Sequence, residues 1–259
     1  MDPLARAQHN YSFHLDRTLQ AVTRPEGATA QELATLSFAW RILALCSLLQ
    51  DADTDTFALR LRKSAQARLA LLMLAERTSV DPRLLCCSKD LGFGAALAAG
   101  DRELAAAIAA RSPMHHFQGV EYEDDFLFFR LLHQMLLAPG GLDEQARLLG
   151  RWRQVEMGEP SPKFELAEAL VEKDARRFPV AFTALLEARQ QKLRECSQRL
   201  GFDPELNATE GKVSVEGLAI VRLAEFHGLP TQSSYDFIPA LARVIPGGPA
   251  LPENAWYKP

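Results

Sequence analysis

Apolar residues recur along this chain at three- and four-residue intervals, and Pro, Gly and Asp break the pattern into short periods. That spacing places one side of each period on a single helical face and predicts helix throughout. Leu4, Ala7, Tyr11, His14 or Leu15, Thr18 or Leu19, and Val22 mark a helix over 3–22, ended by Arg24-Pro25-Glu26-Gly27. Thr29 then reads as an N-cap, with Glu32 three residues on as the acid of a capping box. The helix over 30–49 carries Leu33, Leu36, Phe38, Trp40, Leu43 and Leu48. It is apolar on more than one face, which predicts a central position. A helix over 56–76 pairs an apolar side (Phe57, Leu61, Ala65, Leu69, Leu72, Met73) with cations at Arg60, Arg62, Lys63 and Arg68, which predicts a basic outer face. Asp81-Pro82 restarts a segment through Cys86-Cys87.

A tight helix pair follows at 90–99 and 101–111, turning at Gly100-Asp101, where Gly closes one helix and Asp caps the next. Its alanines allow close helix approach. Further helices are predicted at 124–138, 144–157 (capped by Asp143), 162–172 (Ser161-Pro162), 177–199, 215–227 (capped by Ser214), and briefly at 236–244. Residues 203–211 read as a polar loop, and the Pro- and Gly-rich tail from Ile245 cannot be helical. Trp256 and Tyr257 predict that this tail docks on the body. The expected fold is all-α: about ten to twelve antiparallel helices in an α-solenoid-like array or irregular bundle, with no strict repeat. Residues 1–244 are expected to form one helical domain, with a possible sub-boundary near 112–120, and 245–259 the tail.

Composition sharpens the class. The net charge of −4 gives no basic footprint for nucleic acid. Residues 60–111 carry 9 basic and 5 acidic groups, whereas 112–174 carry 6 and 12. An acidic block can steer a basic partner. The four cysteines, Cys46, Cys86, Cys87 and Cys196, form no CxxC pair and read as reduced, buried thiols. The segment MDPLARAQHNYSFHLDRTL lacks the apolar core of a signal peptide, and no apolar run is read as long enough to span a bilayer. The expected compartment is therefore the cytoplasm, with no membrane partner.

Candidate chemistry concentrates in one place. His115, His116, Glu121, Glu123, Asp124 and Asp125 supply ligand and acid–base residue types, but without an HExxH or di-iron spacing. Carboxylates at a helix start are stabilised by its macrodipole, and the same six residues can form a partner-binding face. Asp51-Ala52-Asp53-Thr54-Asp55 resembles a calcium loop only in its acids, because the turn glycine and closing Glu are missing; Thr54 or Asp55 is expected to cap the next helix. Lys89 beside Cys86-Cys87 could lower a thiol pKa, but no nucleophile motif surrounds the pair. Gly92-Phe93-Gly94 lacks the strand and the Lys-Ser/Thr of a phosphate loop. His133 reads as a core histidine, and Trp40 and Trp152 as core fillers. No catalytic residue, cofactor or metal is expected.

Three runs in order resemble the immunity protein 49 family: AGDRELAAAIAA around the Gly100-Asp101 turn, DARRFPVAFTALLEAR over 174–189, and SVEGLAIVRLAEFHGLP with SYDFIPALARV over 214–244. The resemblance covers about 90–244. It implies a bacterial, non-enzymatic helical protein encoded beside a polymorphic toxin, which binds the cognate toxin domain and occludes its active site. Two other readings stay open: a helical-repeat adaptor for a peptide or protein partner, and a metal-dependent enzyme using His115, His116 and the 121–125 carboxylates.

Overall fold

The computed structural model describes residues 2–24, 27–89, 91–156, 158, 160–199, 201–245, 251–252 and 255–257. Pro25, Glu26, Asp90, Met157 and much of the tail, at which the sequence places helix ends and breaks, lie outside the described residues. Among those described there are twelve α-helices and no strand, so the fold is all-α. They are α1 Pro3–Val22, α2 Ala30–Asp51, α3 Thr54–Ala75, α4 Pro82–Leu85, α5 Leu91–Ala98, α6 Arg102–Arg111, α7 Glu123–Leu137, α8 Leu142–Val155, α9 Pro162–Val171, α10 Arg177–Ser197, α11 Pro204–Ala208 and α12 Val215–Phe226.

Helix starts follow their caps. Thr29 and Glu32 form the full capping box, and Asp101, Ser161 and Ser214 accept from backbone N–H groups of the first turn. Two predicted caps shift. Asp53, not Thr54 or Asp55, caps α3 by accepting from Thr56 N at 2.9 Å. Asp143 falls inside the first turn of α8, because the helix begins two residues earlier than predicted, at Leu142 behind Gly141. The predicted polar loop at 203–211 contains α11, started by Asp203 and Pro204. The predicted helix at 236–244 reduces to a 3₁₀ turn, Ala240–Arg243, after a single bridge between Tyr235 and Ile238.

The small helix α5 is the hub. It packs on α2, α3, α6 and α12, so it joins the first three helices to the later part of the chain. Gly92, Gly94, Ala95, Ala96 and Ala98 are all buried there. At Gly92 a Cβ would lie 2.3 Å from the Cβ of Arg68, so only glycine allows α5 to approach α3 this closely. The Gly92-Phe93-Gly94 run is thus a helix-packing device.

The cations of α3 do not form an outer face. Lys63 and Arg68 are buried, and Arg60 and Arg62 half-buried. Arg60 donates to Leu43 O at 2.9 Å and Ser47 Oγ at 2.6 Å, and Lys63 sits 4.4 Å from the centroid of the Trp40 ring. Arg68 reaches the carbonyls of Leu84 and Leu85 at the end of α4, and Arg62 that of Ala99 just past α5. With α2, α5 and α6 covering α3, its arginines Arg60, Arg62 and Arg68 extend their stems across the core and aim at carbonyls, including those at helix C-terminal ends.

Contrary to the sequence reading, α2 is long and apolar enough to cross a membrane by length and composition. Its apolar side chains are instead buried against α1 and α3, and Arg41 near its middle pairs with Glu210 at 2.6 Å. In the tail, Ala255–Tyr257 closes a 3₁₀ turn where no helix was expected. Trp256 is buried, and its carbonyl accepts from Trp40 Nε1 at 2.8 Å.

Candidate functional site

The loop between α6 and α7 is held from the inside. The Glu121 carboxylate accepts from Ser88 N at 3.2 Å, Ser88 Oγ at 2.8 Å and Phe117 N at 3.4 Å. His116 Nε2 lies 2.8 Å from Glu121 O, and Cys87 Sγ donates to Pro113 O at 3.2 Å. Glu121 and His116 therefore tie this loop to itself and to the segment ahead of α5. His115 is exposed, with its ring edge-on to Phe117 at 4.6 Å. The two histidines have separate partners.

The acids that follow occupy the first turn of α7, whose N-cap position holds Tyr122 and no capping side chain. Glu123 is gripped by Arg151 through two bonds of 2.6 and 2.9 Å, which holds its carboxyl below the usual range. Asp125 pairs with Lys163 at 2.6 Å. Burial pulls the Lys163 ammonium down, but Glu216, Asp125 and Asp124 outweigh this and leave its pKa raised. Asp124 has no ion pair within 4.0 Å among the described residues. Two of the four carboxylates, Glu123 and Asp125, are thus paired with cations, and the run's field on a distant partner is reduced by that much. Among the described residues no three His, Cys, Asp or Glu side chains gather as a metal site.

Two large apolar side chains project from this region. Met114 is 74 % exposed and Tyr122 80 %. Tyr122 stands at the edge of a cleft of about 460 Å³. The starts of α7, α9 and α12 contribute Asp124, Lys163 and Glu216 to its walls, and α10 contributes Arg189 and Lys192. A second cavity of about 250 Å³ lies further along α10 and shares Arg189 and Lys192 with the first. Arg189 is steadied by a 2.6 Å bond to Glu210 O and stands 5.7 Å from the Phe237 ring centroid. Burial lowers its pKa, while Glu216 and Glu210 act from a distance to retain its charge. Phe237 has a left-handed φ of 61°, and its carbonyl accepts from Ser214 N at 2.8 Å, which fixes the start of α12.

The sequence therefore located one edge of this region and missed the cleft. Arg189 and Lys192 share a helix face through their i,i+3 spacing. Nothing in the periodicity brings that face to Glu216 or Tyr122, because the juxtaposition is tertiary. The other expected features have core roles. His133 is buried edge-on to Phe93 at 4.3 Å, and Trp152 is buried between Phe128 and Phe164.

No curated protein and no solved structure matches this chain. A family model does, that of Immunity protein 49, over residues 90–242. The match begins at the helix pair around Gly100-Asp101 and spans the loop, the acidic turn and the cleft walls. With more than half of its length covered, this chain belongs to the Immunity protein 49 family.

Proposed function

We propose that this chain is a non-catalytic immunity protein that binds a cognate bacterial toxin domain in the cytoplasm and blocks its active site. The family match over 90–242 carries this reading. The loop and the α7 start lie wholly inside that match. They supply what a recognition surface needs: a backbone fixed before the partner arrives and large side chains left uncovered.

The six residues singled out from sequence divide their work on this face. His116 and Glu121 hold the loop, Glu123 and Asp125 clamp the α7 start to Arg151 and Lys163, His115 is exposed on the loop against Phe117, and Asp124 lines the cleft with Tyr122. Contact is then chiefly through Tyr122 and Met114, with the acids as frame. Tyrosine suits such a role, because it buries a large area at a small cost in rotamer entropy.

The test is co-expression with the product of the neighbouring gene, followed by pull-down and growth rescue. A toxin that is captured and silenced supports the reading. A neighbour that is neither captured nor toxic removes it. Tyr122→Ala is expected to weaken toxin binding by about 2 kcal/mol, roughly thirtyfold, with the melting temperature unchanged. Wild-type affinity in that variant would take Tyr122 out of the interface.

A further inference from the structure

The loop between α6 and α7 is fixed at one carboxylate. Phe117 to Val120 forms a tight turn, closed by Val120 N–H donating to Phe117 O at 3.0 Å, with Gly119 at a left-handed φ of 77°. Glu121 follows the turn, and its Oε1 reaches back to accept from Phe117 N at 3.4 Å. Its Oε2 crosses to a segment 33 residues earlier, where it accepts from Ser88 N at 3.2 Å and Ser88 Oγ at 2.8 Å. The hydroxyl bond is at the ideal O–H···O distance, whereas the two amide bonds are long.

Ser88 is held in turn by the N-terminal helices. It lies in the 3₁₀ turn Cys87–Lys89, between α4 and α5. The α4 end of this segment is anchored by Arg68 of α3, which donates to Leu84 O and Leu85 O. Its other end leads to α5, which packs on α2 and α3. One series of contacts therefore runs from α3 through Ser88 to Glu121 and the loop. Ser88 and the helices ahead of it lie outside the family match, and the loop lies inside it.

We propose that Ser88 is a positioning residue for toxin recognition: through Glu121 it sets the loop that presents Met114 and leads into Tyr122, so the helices ahead of the family match orient the partner-binding face. This rests on the immunity reading above and names the residue that prepares its surface. The Ser88 hydroxyl is committed to Glu121, so its effect reaches the toxin through the loop. Without it Glu121 keeps only the two long amide bonds, and the loop has to be ordered as the toxin binds. That ordering lowers affinity, and it slows association because the competent loop is no longer preformed.

The test joins two measurements: binding kinetics with the toxin recovered by co-expression, and amide hydrogen exchange of the free chain. Ser88→Ala is expected to weaken binding about fivefold, mainly through a slower association rate. In the free variant, exchange at Phe117, Val120 and Glu121 is expected to quicken about tenfold, with far-ultraviolet circular dichroism unchanged. Ser88→Thr keeps the hydroxyl and is expected to restore both readouts. In a chain already carrying Glu121→Ala, Ser88→Ala is expected to add less than about twofold, because a residue that acts through Glu121 has nothing left to act on. Wild-type affinity despite faster exchange, unchanged exchange in Ser88→Ala, or losses that multiply in the double variant each overturn the proposal while the immunity reading stands. A wild-type chain that binds no toxin overturns the immunity reading, and this proposal with it.

Discussion

Lys89 stands three residues from Cys86, close enough for its ammonium to lower a thiol pKa, yet Cys86 is shifted upward. Burial is the largest cause, the Glu121 carboxylate adds to it, and Lys89 offsets only part. Cys46 is pushed further, to about 11, again chiefly by burial. Both thiols therefore remain protonated through neutral and mildly alkaline pH, and the thiolate appears only as pH rises towards those raised values. Cys196 is the one cysteine of the four that is not buried. Iodoacetamide at pH 8 is expected to label Cys196 first, and Cys46 and Cys86 only after the chain is unfolded in urea, as read by peptide mass mapping. Rapid labelling of native Cys86 would mean that Lys89 controls the site after all.

Among the elements, α5 makes the most specific demand on its sequence. A methyl at Gly92 meets the Arg68 stem at 2.3 and 2.6 Å, and that stem is itself anchored by bonds to Leu84 and Leu85. The stem cannot yield without giving up those bonds, so α5 must move off α3. Gly92→Ala is expected to cost about 2–3 kcal/mol despite alanine's better helix propensity, read as a lower urea midpoint. Gly94→Ala is expected to be mild, because its Cβ would meet Ala219 at 3.9 Å, an ordinary contact. The same helix marks the limit of what periodicity conveys. Thr29, Asp101, Ser161 and Ser214 were legible as caps, since capping is a local bargain between a side chain and the N–H groups of the next turn. The inward turn of Arg60, Lys63 and Arg68 was not, since it depends on which helix ends arrive opposite α3. The candidate site divides likewise: residues 115–125 stood out as a charged segment, whereas Arg189 and Lys192 acquire meaning only beside α7 and α12.

At the scale of the molecule, one cluster of buried apolar side chains runs from Ala7 to Ala242. A second, smaller one gathers the end of α1, the start of α2 and Trp256. The clusters share helices: Leu43 and Leu71 face the smaller one, Ile42 and Leu72 the larger. Loosening one therefore shifts the helices that line the other, and the chain is expected to unfold in a single transition, with far-ultraviolet circular dichroism and tryptophan fluorescence coincident. Trp256 tests how far the tail takes part in that unit. Its side chain fills the smaller cluster, while its carbonyl is the acceptor for Trp40 Nε1. Trp256→Ala removes the packing but keeps the carbonyl, and about 3 kcal/mol is expected to be lost. Trp40→Phe removes the N–H donor along with part of the ring, and about 1 kcal/mol of the resulting loss belongs to the hydrogen bond. If the tail is one of the ties of the fold, the double variant loses less than the sum, because without the Trp256 ring the tail no longer holds its carbonyl in place. Strict additivity in urea denaturation would instead make the tail a passenger that the body holds without depending on it.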